Sequence, residues 1–263
     1  MSLYNISFLG AGKVAEALSL EFHRNGHVIG TIVSPESQNG QRLADLTNAK
    51  WSSSPVFGNE HNIIIVAVPD HKLAQVLAEI QCSSDTIVAH TAGSFGLEVF
   101  PGTINKKGLF YPLQTFSKGR KTTLNEIPLF IEASDEETRS VLKDLASSAG
   151  CLIFEAGTES RCMLHTAAVF VSNFTNHMLT AGKQISSVAG FSFDILVPLI
   201  RETIQKAIEN SPENSQTGPA IRNDLITLEK HLELLSFSPE LRRLYDEVSK
   251  SISEHYKDLK QNE

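Results

Sequence analysis

The stretch "ISFLGAGKVAEAL" places Gly10 and Gly12 between an apolar run and a helical pattern near the start of the chain. Glycine at such a turn admits a positive φ and lets other groups approach the backbone closely. A second apolar run follows at 28–33, so the segment reads as a strand, a crossover helix and a parallel strand. That unit commits the first part of the chain to a parallel sheet with helices packed on both faces.

The alternation continues. Continuous, β-branched runs at 6–9, 28–33, 63–68 and 86–89 read as strands buried on both sides, with further strands at 108–110, 129–132 and 152–155. Helical patterns fall at 13–25, 38–47, 71–80 and 135–148. After Glu155 the character changes to helices at 160–189, 194–209, 219–235 and 239–259, broken by "NSPENSQTGP" and "SFSP". The expected fold is therefore α/β, a doubly wound parallel sheet over residues 1–156 followed by an all-α domain over 157–263. The length of 263 residues suits two such domains.

In a βαβ unit that binds a dinucleotide, the first glycine makes the turn and the second admits the pyrophosphate. A small third residue then lets the helix pack closely. Gly10, Gly12 and Ala15 fit those places, so Gly10 to Ala15, with Ala11, Lys13 and Val14 between, is the expected phosphate cradle at a helix N-terminus. At the end of the second strand, where NAD enzymes usually carry an acid for the ribose 2′-OH, this chain has Ser34 in "VSPESQNGQR". Ser34, Ser37 and Arg42 offer donors to a 2′-phosphate and favour NADP; Glu36 is the contrary feature, since turned inward it would favour NAD.

The next strands end in "AVPDHKL" and "AHTAGSFG". Ligands in open α/β sheets lie beyond the carboxyl ends of the strands, so Val68, Pro69, His90, Thr91 and Ser94 should rim the cofactor. His90 is either a strand-end residue satisfied by backbone carbonyls or a donor to the nicotinamide amide or the substrate. The apolar helix through "MLHTAAVFVSNFTNHMLTA" is expected to be the buried centre of the second domain. At about 100° per residue, His165, Ser172, Asn176 and Lys183 share a stripe flanked by Asn173. The stripe either faces the site, with His165 and Asn173 catalytic and Ser172 and Asn176 touching substrate, or it caps loops or bridges neighbouring helices. In "QTGPAIRND", Pro219 suits a first helical position, while Arg222 either holds a substrate carboxylate or makes a structural ion pair.

"FLGAGKVAEAL", "AVPD", "HTAGS", "YPLQTFS", "HTAAVFVSNFTNH" and "TGPAIRND" together resemble the NADP oxidoreductases of unassigned substrate that join a Rossmann-like domain to a helical C-terminal domain. That group is similar in layout to pyrroline-5-carboxylate reductase and, more distantly, to the β-hydroxyacid dehydrogenases. The resemblance spans nearly the whole chain. It implies a cofactor site at Gly10 to Ala15 and a substrate site between the domains, and it implies no particular substrate. One departure stands out: the β-hydroxyacid dehydrogenases carry a Lys with an Asn four residues on, whereas Lys183 is followed at that spacing by Ser187.

The expected activity is NADP-dependent hydride transfer to or from a C=O or C=N group of a small, anionic metabolite. The alternative is a non-catalytic NADP(H) sensor acting through a protein partner; a methyltransferase would leave the helical half unexplained. The net charge of −7 argues against a nucleic-acid partner, and no metal site is expected. The three cysteines form no pairing pattern, and no apolar run is long enough for a membrane span, so a reduced cytoplasmic location is expected. The apolar helix needs more cover than its own domain supplies, which points to a homodimer.

Overall fold

The computed structural model describes residues 2–117, 119 and 123–261. Strands β1 (Asn5–Leu9), β2 (Val28–Val33), β3 (Lys50–Ser52), β4 (Ile63–Val66), β5 (Ile87–His90), β6 (Lys106–Pro112), β7 (Pro128–Ala133) and β8 (Leu152–Phe154) form one sheet. Its order is β3-β2-β1-β4-β5-β6-β7-β8. Every neighbouring pair is parallel except β6 with β7. Helices α1 (Lys13–Arg24), α2 (Ser37–Thr47), α3 (Leu73–Glu79) and α4 (Glu136–Ser148) make the crossovers.

The central strand β4 is apolar without interruption because both its faces are covered. In β4, Ile63 and Ile65 pack with Leu18 and Phe22 of α1, Leu43 of α2 and Leu142 of α4. Ile64 and Val66 point the other way, into a cluster with Leu73 and Leu77 of α3. The two-residue period of the strand thus feeds two separate cores. β3 was not expected: "KWS" has no apolar run, and it becomes a strand by pairing along Thr31 to Val33.

The rest of the chain is helical: α5 (Thr158–Ala168), a π-turn segment (Val169–Phe174), α6 (Thr175–Val188), α7 (Val197–Asn210), α8 (Pro212–Ser215), α9 (Leu225–Leu234) and α10 (Pro239–Gln261). The chain divides into two compact units, residues 1–173 and 174–263. The boundary expected at 156 falls inside the first unit, which keeps α5.

Two expectations about the helices need correction. The helix expected from Pro219 starts at Leu225, because Asn223 adopts φ 55° and Asp224 accepts the Thr227 N–H at 3.1 Å as an N-cap. The stretch from α5 to α6 is helical but not buried, with Val171 75% and Val188 65% exposed. Apolarity all round a helix shows that it needs covering, not that its own chain covers it. Among the described residues no helix is long and apolar enough to cross a membrane.

Candidate functional site

The strand order reverses at β1 and β4, and the glycine turn lies there. Gly10 has φ +114°, and its N–H donates to Val33 O at 2.8 Å. A Cβ on Gly10 would stand 2.2 Å from Ala67 O, so only glycine fits between β1 and β4. Gly12 is different: nothing lies within 4 Å of where its Cβ would be. It is also the N-cap of α1, and no side chain caps that helix. The first N–H groups of α1, at Lys13 and Val14, are thus left without a side-chain cap, at a turn whose Gly12 leaves room for a bound phosphate. Ala15 is fully buried against the sheet. The residues from Gly10 to Ala15 therefore fit a dinucleotide pyrophosphate.

The residues expected at the adenosine ribose are engaged. Ser34 is 4% exposed, donates its hydroxyl to Glu36 O at 2.8 Å, and accepts from Trp51 Nε1 at 3.4 Å. It shapes the β2–α2 turn. Glu36 accepts from Asn39 Nδ2 at 3.1 Å, and Ser37 is exposed at the first residue of α2. Arg42 forms an ion pair with Glu16 of α1, while its Nε is buried and without a partner among the described residues.

Registers place the other strand ends on the same edge. Leu9 pairs with Val66, Val66 with His90, and His90 with Leu109, so Val68, Pro69 and Thr91 follow the carboxyl ends, and Tyr111 is the penultimate residue of β6. Thr91 N–H donates to Val66 O at 3.1 Å. His90 is fully buried and braces its own loop: its Nδ1 accepts from Ala92 N–H and its Nε2 lies 3.3 Å from Gly96 O. Burial pushes its pKa down to about 4, so it is neutral at pH 7, with both ring nitrogens used. Of the two roles open to His90, that geometry supports the strand-end one.

Arg161, on the first turns of α5, is fully buried. Its Nη1 donates to Glu132 Oε2 at 2.7 Å and Ala156 O at 2.8 Å, and its Nη2 donates to Phe95 O at 2.7 Å. It ties the loop after β5 to α5, and Cys162 Sγ, 3.5 Å from Ser94 O, joins the same two segments. That clamp is why α5 belongs to the first unit, and it carries His165 to the strand ends. There His165 Nδ1 lies 2.8 Å from Tyr111 Oη. Neither Arg161 nor Tyr111 stood out in the sequence; a lone Arg entering an apolar helix was the only signal.

The stripe on the long helix is not continuous. Between Val169 and Phe174 the backbone is π-helical, and i→i+5 bonding turns less per residue than the 100° spacing assumes. Ser172 is half-buried and Asn173 exposed in the first unit; Asn176 and Lys183 are exposed in the second. Arg222 is exposed in the turn before α9, near enough to lower the Asp224 pKa, after the Thr227 hydrogen bonds that dominate. Elsewhere Ser7, His61 and Glu60 line up as hydroxyl, imidazole and carboxylate, but Ser7 is fully buried and Thr31 N–H donates to it at 3.0 Å, leaving a ligand no access. No cluster of metal-ligating side chains occurs among the described residues.

Comparison with known proteins agrees with this anatomy. A Rossmann-like domain matches residues 2–114, and a domain of unknown function, DUF2520, matches residues 127–252. A Bacteroides fragilis protein named as a candidate NADP oxidoreductase is 36% identical, with a TM-score of 0.89 over 96% of this chain and 98% of that one. An Aspergillus terreus reductive aminase in complex with NADPH and ethyl-5-oxohexanoate shares the fold at 12% identity, with a TM-score of 0.70 over 96% and 95% of the two chains. A 1-pyrroline-5-carboxylate reductase from Streptococcus pyogenes does so at 13%, with a TM-score of 0.61 over 96% and 99%. No curated protein matches. The chain belongs to the family in which a Rossmann-like domain is followed by the helical DUF2520 domain.

Proposed function

We propose that this protein is an NADP-dependent oxidoreductase acting on a C=O or C=N group of a small, anionic metabolite. The observation that carries the reading is the pairing, on one sheet edge, of an uncapped glycine turn with a half-buried imidazole at His165. The family relationship and the NADPH-bound reductive aminase of the same fold support it. Lys13 and Val14 N–H groups would hold the pyrophosphate, with Ser37 and Arg42 near the 2′ position once Arg42 shares its charge with Glu16. The nicotinamide, when bound, supplies the hydride. His165 holds the proton that the acceptor atom takes, imidazole being suited to that task near neutral pH. His90 and Arg161 keep the loop after β5 rigid beside it. Ser172, Asn173, Asn176 and Arg222 are proposed to orient the substrate.

Two further readings go with this function. The protein is proposed to form a homodimer through its helical half, because Ile208 and Ile226 are 73% and 83% exposed in the single chain. Its cysteines are free thiols, which suits a reducing compartment such as the cytoplasm. Fluorescence titration tests the central claim: NADPH should bind at least several-fold more tightly than NADH. Consumption of NADPH with one of a panel of keto acids and cyclic imines then separates an enzyme from a sensor. Binding without turnover across that panel would favour the sensor.

A further inference from the structure

His165 does not stand alone. Tyr111 lies at the end of β6, only 9% exposed, with its ring 6.3 Å from that of Phe130. A Cβ on Gly93 would be 2.6 Å from Tyr111 Cζ, so the loop after β5 lies directly on the phenol ring. The ring is therefore held on both sides, and its hydroxyl meets His165 Nδ1 at 2.8 Å, with the two rings edge to face at 61°. Burial, followed by the nearby Asp70 carboxylate, raises the Tyr111 pKa above the ordinary phenol value, so the group keeps its proton at neutral pH. His165 Nε2 has no hydrogen-bond partner among the described residues, and the side chain is half-buried.

A hydroxyl at this place serves both protonation states of the imidazole. Toward the neutral ring it donates to Nδ1, which obliges the ring to carry its one proton on Nε2. Toward the imidazolium it accepts from Nδ1–H, and Nε2 again carries a proton. We propose that Tyr111 is a positioning residue that keeps a proton on His165 Nε2, the nitrogen turned away from the phenol, and so makes that atom the donor to substrate. This rests on the oxidoreductase reading for its purpose and on the Tyr111–His165 geometry for its substance.

The test uses the full chain labelled with ¹⁵N-histidine, observed by NMR in mildly alkaline buffer and compared with Tyr111→Phe, which removes one oxygen and keeps the packed ring. Assignment comes from the His165→Gln spectrum. In the unsubstituted protein His165 should show a single Nε2–H tautomer with a hydrogen-bonded Nδ1. In Tyr111→Phe the Nδ1 resonance should move toward that of an unbonded nitrogen, and the Nδ1–H tautomer should appear. A proton on Nδ1 in the unsubstituted protein, or a His165 spectrum unchanged by Tyr111→Phe, would overturn the proposal. The first of these requires no variant to fold. Titration of the same samples with NADPH keeps the two claims apart: Tyr111→Phe should bind it within about threefold of the parent. Absence of NADPH binding by the parent refutes the oxidoreductase reading while leaving the tautomer result standing.

Discussion

The two units differ most in what they bury. In the first, Phe8, Phe22, Ile63, Ile65 and Phe110 are enclosed with hardly any exposed surface. Among the described residues of the second, the buried apolar side chains are Ala181, Ala220 and Leu235, while Leu199, Ile208, Ile226 and Leu234 stand open. A sheet covered on both faces closes its own core. A set of helices of this length has more apolar surface than it can turn inward. The sheet of the first unit thus closes on its own core, whereas the second unit leaves most of its large apolar side chains open in the single chain.

The largest effect should come from Gly10→Ala. The substitution meets both a positive φ and the Ala67 carbonyl, and the combined strain and overpacking amount to about 4 kcal/mol. Thermal melts should show the first unit severely destabilised; an unchanged melting temperature would mean that the turn is not part of its closed core.

Next is pH. His90 has a folded pKa of about 4, lowered first by burial, and His27 and His61 are lowered in the same direction. A histidine buried neutral binds its proton more readily when unfolded, so its contribution is complete above the unfolded pKa near 6.5 and is lost as pH falls toward 4. Denaturant unfolding should lose about 2–3 kcal/mol between pH 7 and 4. His90→Asn, less stable at neutral pH, should show a shallower slope. Equal slopes would place the acid sensitivity elsewhere.

The second unit is probed by Ile226→Asp. At 83% exposure in a single chain, the change would be nearly silent in a monomer. In the proposed dimer it should weaken association about 30-fold, read by light scattering across a dilution series. A parent protein of monomer mass at every concentration would break the comparison, since the second unit would then tolerate its exposed apolar residues.

The smallest effect sharpens the contrast within the glycine turn. Gly12→Ala adds a methyl into open space, so folding should be nearly unaffected. NADPH affinity should nevertheless fall about tenfold, because in the proposed site that space is where the backbone admits the pyrophosphate. A parent-like affinity would move the phosphates away from α1.

Much of the first unit was legible because buried parallel strands write themselves as uninterrupted apolar runs, as Ile63 to Val66 do. Lys50 to Ser52 escaped notice since a short edge strand owes its form to its neighbour's hydrogen bonds. The glycine turn was legible too, because Gly10 answers a local backbone need. Ser34 looked like a free hydroxyl and proved committed to Glu36 O, a bond that depends on how the turn closes.

Local grammar therefore determined the α/β class, most of the element order and the glycine turn: each follows from dihedral preference and burial period within one stretch of chain. Tertiary structure alone decided that Arg161 would join α5 to the first unit, that His90 would be sealed inside its loop, and that Tyr111 would meet His165 across 54 residues. Such contacts are set by the relative placement of strand ends and helices, and no periodicity along the chain encodes a distance between side chains so far apart in sequence.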